Sequence, residues 1–143
     1  MTLKPLFPTE ETLGLNTDLY ELTMAAAYFE SGLADQVATF ELYTRELPKT
    51  RSFLIAAGLE QALHYALKAR FSEKSIEYLK NLQVFESVDP SFFDYLKGFR
   101  FTGDIWALPE GTIFFENEPI LQVRAPVIEA QIIETYLINI LNV

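Results

Sequence analysis

The sequence predicts an α+β fold, with helices and an antiparallel sheet around one core, and three observations predict it. Apolar residues recur at three- and four-residue steps in stretches that open on capping residues, over Leu15–Leu33, after Gly58, after Ser72 and from Pro90. Strict alternation marks a strand at Ala38–Tyr43, and from Thr102 the pattern changes to short strands. Proline, glycine and asparagine divide those later strands into hairpin-sized pieces, which makes the sheet antiparallel. With 143 residues and 50% hydrophobic content, the chain is long enough for one globular domain with a core.

Residues 1–14 carry Pro5 and Pro8 without a sustained period, so they are expected to form an arm lying on a partner surface. Leu15–Leu33 is expected to be one helix. Asp18 is its N-cap, Glu21 reaches back to the cap's own N–H in a variant capping box, and Gly32 supplies the left-handed stop. Leu19, Leu22, Ala26, Phe29 and Leu33 form the stripe that faces the core. Tyr20 is rotated about 100° from it, beside Thr23, Met24 and Ala27. Taken alone, Tyr20 reads as a tyrosine half-buried at the core margin, with a wet hydroxyl.

Ala38, Phe40 and Leu42 lie on the inner face of the first strand, and Phe53–Ala56 is a second, shorter one. After Gly58, Leu59, Leu63, Ala66 and Leu67 make a buried stripe, with Glu60, His64 and Lys68 opposite. His64 is the only histidine, so no imidazole pair is available for a metal. Ser72 caps a helix running to about Leu82, and Pro90 opens another that buries Phe92, Phe93, Tyr95 and Leu96. The stretches Asp104–Leu108, Thr112–Phe115 and Ile120–Arg124 then read as a meander, with Trp106, Phe114 and Phe115 as core or sheet-face residues.

From Pro126 onward, apolar residues cover most of a helix circumference, which requires burial nearly all round. That helix lacks a stop signal at Val143, so the chain is expected to be cut inside a larger fold or to bury this helix between subunits. The expected division is an N-terminal α+β domain at residues 1–125 and, at 126–143, the start of a buried helix leading toward a further domain.

A formal charge of −9 argues against a nucleic-acid or anionic-membrane surface as partner. The absence of cysteine rules out a disulfide framework and a thiolate nucleophile, and no apolar run approaches the ~20 residues of a membrane helix. A cytoplasmic location is the expectation. No Walker or Rossmann phosphate loop and no nucleophile–base–orienter pattern appears, so no catalytic residue is assigned in this chain. The nearby acids Glu116 and Glu118 are explained by turn polarity.

Thr17-Asp18-Leu19-Tyr20-Glu21-Leu22-Thr23-Met24, followed by Ala27-Tyr28-Phe29, is similar to the N-terminal signature of nicotinate phosphoribosyltransferases. Phe53–Glu60, Pro109-Glu110-Gly111-Thr112, and Glu134-Thr135 with Leu137 and Asn139 fit the same family in the same order, so the likeness spans nearly the whole chain. It implies the helix-plus-antiparallel-sheet N-terminal domain of a type II phosphoribosyltransferase, without the α/β barrel that would follow.

The resemblance further implies transfer of the phosphoribosyl group of phosphoribosyl pyrophosphate to nicotinate, giving nicotinate mononucleotide and pyrophosphate in NAD biosynthesis. Magnesium and ATP are implied, the ATP hydrolysis being coupled as in the ligase class, as is a homodimer with shared active sites. Tyr20 matches the family's tyrosine that stacks on the pyridine ring from the opposite subunit, and Asp18 matches the acidic residue beside it. Arg45 is a candidate phosphate contact, because a guanidinium fork suits phosphate oxygens, with Arg51 a weaker one; a solvated Arg45 beside Glu46 is the plainer alternative. The alternatives are a nicotinamide phosphoribosyltransferase fragment and a non-catalytic binding or assembly module. On the leading reading the isolated chain is inactive.

Overall fold

A computed structural model describes residue 9 and residues 11–141. Most of the expected arm, at residues 1–8 and 10, lies outside the described residues, as do Asn142 and Val143. The elements run α1 (Leu19–Glu30), β1 (Val37–Tyr43), β2 (Leu54–Ile55), α2 (Leu59–Lys68), α3 (Glu73–Lys80), α4 (Pro90–Lys97), β3 (Asp104–Ala107), β4 (Ile113–Phe114), β5 (Pro119–Pro126) and α5 (Val127–Leu141), with short 3-10 turns at Leu13–Leu15 and Gln83–Phe85. The α+β expectation holds.

Three of the helix-end expectations hold closely. Gly32 has φ +70°, and Leu33 N–H donates to Tyr28 O at 2.9 Å while Gly32 N–H donates to Phe29 O at 3.0 Å, a Schellman stop for α1. Ser72 Oγ accepts from Ser75 N–H at 3.2 Å, and Asp89 Oδ1 accepts from Ser91 N–H at 2.8 Å behind Pro90. The helix after Ser72 ends at Lys80 rather than Leu82, because a turn closes there through Asn81 and Leu82 N–H.

The first helix is shorter than its pattern suggested. Asp18 is extended (φ −73°, ψ 151°), which separates α1 from the 3-10 turn ending at Leu15. Its buried face is Glu21, Leu22, Ala25 and Ala26, while Leu19 and Leu33 are exposed. The small Ala25 and Ala26 let α5 approach along this face, which rotates the stripe away from Leu19. In α2 the stripe is likewise rotated, to Ala62, Tyr65 and Ala66, leaving Leu63 and Leu67 exposed. Tyr65 decides this: its ring stacks on Tyr136 of α5 with centroids 4.0 Å apart, and its hydroxyl donates to Asn16 O at 3.3 Å. Glu60, His64 and Lys68 are exposed, as expected.

The sheet is not the meander that the spacing suggested. β5 is central, antiparallel to β1 on one side and to β3 on the other, while β4 leaves to pair with β2. The diversion is made by the Pro109–Thr112 turn, where Gly111 N–H donates to Ala56 O and Ala56 N–H donates to Thr112 O, both at 2.8 Å. Phe114 enters the core, whereas Trp106 and Phe115 are half-exposed on sheet faces.

Every residue from Ile128 to Ile133 in α5 is buried, so its first turns are enclosed on all sides, as the apolar circumference required. It packs against α1, α2, β1 and β5. Among the described residues no helix is long and apolar enough to cross a membrane.

Candidate functional site

The site is built where the first turn of α1 meets the middle of α5. An all-round buried helix that carries Gln131 and Glu134 must find partners for them, since an unpaired buried amide or carboxylate is costly. α1 supplies one. The Glu21 carboxylate is fully buried and accepts a hydrogen bond from Gln131 Nε2, and the same nitrogen donates to Glu134 Oε2 at 3.0 Å.

This arrangement overturns the expected capping box. Glu21 is turned into the core, and the Asp18 N–H that it was expected to satisfy donates instead to Thr135 Oγ1 of α5 at 3.1 Å. The Asp18 side chain makes no capping hydrogen bond either. Among the described residues its exposed carboxylate has no hydrogen-bond or ion-pair partner, so it is available to a ligand.

Tyr20 stands beside this junction, 50% exposed, on the flank with Thr23, Met24 and Ala27. Met24 and Ala27 are also exposed, and Thr23 Oγ1 donates to Tyr20 O at 2.9 Å, closing this face of the first turn. The phenol is held well above its usual pKa, chiefly by hydrogen bonding toward the Glu21 carboxylate, with burial and the charges of Glu21, Glu134 and Asp18 adding. Glu21 Oε1 itself is buried without a hydrogen-bond partner. With its pKa raised, Tyr20 stays a neutral phenol with an open ring face.

Burial, then the charge of Glu21, raises the Glu134 pKa, and its hydrogen bond from Gln131 only partly opposes this. Asn16 Nδ2, Thr17 Oγ1 and Glu21 Oε1 are buried without hydrogen-bond partners, and all belong to the segment entering or opening α1.

Arg45 lies elsewhere. It is exposed after β1 and lines a cleft of about 250 Å³ with Leu42, Tyr43, Ile120, Ile138 and Leu141. No contact joins it to Tyr20 or Asp18 among the described residues, although Leu42 and Ile138 also border the small cavity that Glu134 lines. Arg51 is exposed too, with its N–H bonded to Pro48 O at 2.8 Å. Of the substrate-site residues read from sequence, Asp18 stands at the cap of α1 and Tyr20 in its first turn, neighbours already in the chain, and Arg45 lies apart from both.

Sequence reasoning missed the partnership of Glu21 with Gln131 and Glu134. The available signal was the set of polar residues Glu129, Gln131, Glu134 and Thr135 inside a helix whose other residues are largely apolar. The motifs that carried the resemblance also pair in space. Asp18 and Glu21 meet the Gln131–Thr135 stretch, while Ala56–Leu59 meets Glu110–Thr112, with Glu110 Oε1 accepting from Leu59 N–H at 2.7 Å to cap α2.

The sequence profile of the nicotinate phosphoribosyltransferase (NAPRTase) N-terminal domain matches residues 15–142. A nicotinate phosphoribosyltransferase of Mycobacterium tuberculosis is 46% identical over 125 residues, covering 87% of this chain and 26% of that protein. The Bacillus subtilis nicotinate phosphoribosyltransferase is 40% identical over 133 residues, covering 93% of this chain and 26% of that protein. The crystal structure of human nicotinic acid phosphoribosyltransferase superposes with a TM-score of 0.80 at 34% identity, covering 87% of this chain and 25% of that one. A nicotinate-nucleotide pyrophosphorylase from Pyrococcus furiosus shares the fold at 18% identity, with a TM-score of 0.66. The chain thus spans about a quarter of the length of the relatives it matches. With the profile covering nearly all of it and the fold in agreement, the chain belongs to the nicotinate phosphoribosyltransferase family, of which it carries the N-terminal domain.

Proposed function

We propose that this chain is the pyridine-stacking and assembly part of a nicotinate phosphoribosyltransferase, which makes nicotinate mononucleotide and pyrophosphate from nicotinate and phosphoribosyl pyrophosphate, with coupled ATP hydrolysis, in NAD biosynthesis. The observation that carries the reading is the Tyr20–Asp18 pair: a neutral, half-exposed aromatic face beside an unpartnered carboxylate, on a helix turn anchored from behind by α5. An aromatic face suits a flat heteroaromatic ring. Transfer makes the ring nitrogen cationic, so a carboxylate near the ring stabilises the charge that develops. The nicotinate carboxylate must then point away from Asp18, toward cations that a homodimer partner or a following barrel supplies. Arg45 is kept as a phosphate contact reached only in such an assembly. Cytoplasmic residence goes with this reading.

Among the described residues no three His, Cys, Asp or Glu side chains are grouped to hold a metal ion; magnesium is commonly held by one or two carboxylates together with substrate phosphates, and no ligand for it is assigned here. No ATP site is assigned to this domain. Catalysis by positioning and by neutralising the leaving pyrophosphate has to be completed by residues outside the set described.

The test is a chimera in which this chain replaces the matching N-terminal part of the Bacillus subtilis relative. It is expected to form nicotinate mononucleotide, while the 143-residue chain alone, given nicotinate, phosphoribosyl pyrophosphate, magnesium and ATP, forms none. A folded chimera without activity, or product from the isolated chain above a no-protein control, would overturn the proposal.

A further inference from the structure

We propose that Glu134 keeps its proton and shares it by hydrogen bond with the neighbouring Glu21 carboxyl group, and that this contact is the device that fixes the first turn of α1, with Tyr20 on it and Asp18 at its cap, against α5. The geometry is specific. Glu21 is completely buried, with Oε2 accepting from Gln131 Nε2 and Oε1 left without a partner. Glu134 Oε2 accepts from that same nitrogen at 3.0 Å, so a single amide gathers two carboxyl groups. Two ionised carboxylates in that position repel and leave Glu21 Oε1 unsatisfied. With one proton retained on Glu134, its O–H donates to Glu21 and the pair carries a single negative charge.

The surroundings favour retention of that proton. From α1 the pair faces Asp18 and Tyr20, and from β1 Glu41 lines the same small cavity as Glu134, while Tyr65 of α2 packs its ring on Tyr136 of α5. β5 contributes only Leu121 and Val123 to that cavity. The ion pairs Lys74–Glu11 and Lys97–Asp94 are on other elements, so neither supplies a cation here. Burial first, and then the Glu21 charge, push Glu134 upward from its ordinary 4.5.

The sign follows from proton binding. Above pH 4.5 the unfolded chain releases the Glu134 proton while the folded chain keeps it, so stability falls as pH rises from there to the raised folded value and is level beyond it. Glu134→Gln keeps a donor for Glu21 without titrating, so it removes this fall. Glu21→Gln removes the neighbouring charge and returns Glu134 toward 4.5.

The experiment is a carbon-detected NMR titration of the carboxyl groups of the 143-residue chain, with the Tyr20 ring followed in the same samples. The expected result is a Glu134 midpoint above 4.5, with the Tyr20 ring resonances moving at that same midpoint and not moving in Glu134→Gln. A Glu134 midpoint at or below 4.5 in the wild-type chain overturns the shared proton, and a Tyr20 ring that ignores the Glu134 titration overturns the positioning role. The wild-type titration decides even if a variant fails to fold. The consequence for substrate rests on the nicotinate reading above, but nicotinate is absent from the titration, so the two fail separately.

Discussion

Tyr20 is where the functional reading meets a single side chain. Because it lies off the buried face of α1, its removal takes away a ring surface without opening a core cavity. In the active chimera, Tyr20→Ala is therefore expected to weaken nicotinate use by about 0.5–1.5 kcal/mol, or up to ~3 kcal/mol if the contact resembles base stacking, with Tyr20→Phe retaining most of it. Kinetics against nicotinate together with a melting curve check this; a large fall in Tm with unchanged nicotinate kinetics would identify Tyr20 as a structural residue instead. The Glu21 carboxylate beside it holds the phenol above its ordinary value, so the Tyr20 ring is expected to ionise at a higher pH than ordinary tyrosines, which ionise near 10, and a spectroscopic titration of the phenol checks this. Tyr20's place off the stripe was legible from its helical angle alone. The role of Glu21 was not, because S/T/D-x-x-E describes a cap equally well, and only the arrival of Gln131 from a helix far along the chain draws its carboxylate inward.

At the scale of elements, Gly58 tests how α5 sits on α2. Gly32 and Gly58 both have positive φ, +70° and +97°, so alanine at either is strained by roughly 1–2 kcal/mol, less what the stiffer unfolded chain returns. They differ in surroundings: a Cβ at Gly32 meets nothing within 4 Å, while one at Gly58 meets the Ile140 backbone oxygen at 2.8 Å. Gly58→Ala should therefore cost about 1–3 kcal/mol more than Gly32→Ala, because α5 must shift to admit the methyl group. Denaturant unfolding of the two variants measures it, and equal losses would mean that α5 does not close on the start of α2. The existence and type of the elements were legible from period and caps, because those signals are local. Strand pairing was not: β4 joins β2 because the Pro109–Thr112 turn bonds to Ala56, a contact that hairpin-like spacing hides. The buried faces of α1 and α2 also missed by a rotation, since Ala25 and Tyr65 are chosen by fit to α5 and not by hydrophobicity.

For the whole molecule, the apolar circumference of α5 requires burial, and the structure seats the first turns of α5 in the core and leaves a different surface open. β2 and β4 turn Ile55 and Ile113 outward, opposite each other in register and 57% and 55% exposed, and the flanking Phe53 and Phe115 are 48% and 50% exposed. Contiguous apolar side chains on one sheet face drive association or dye binding. The charge of −9 opposes it, since like-charged copies repel over roughly the Debye length, about 8 Å at physiological salt and 3 Å at 1 M. Hydrophobic attraction acts at contact and survives salt, so added salt removes the repulsion and leaves the attraction. The 143-residue chain is thus expected to be dispersed at low salt and to associate as salt rises, with Ile55→Lys combined with Ile113→Lys suppressing both the association and the binding of a hydrophobic dye. Leu67→Lys on α2, an exposed leucine outside the β2–β4 pair, serves as the control and should change either little. Light scattering across a salt series reads the outcome: association that falls with salt, or that the paired lysines leave intact, would show that this sheet face is not the adhesive surface.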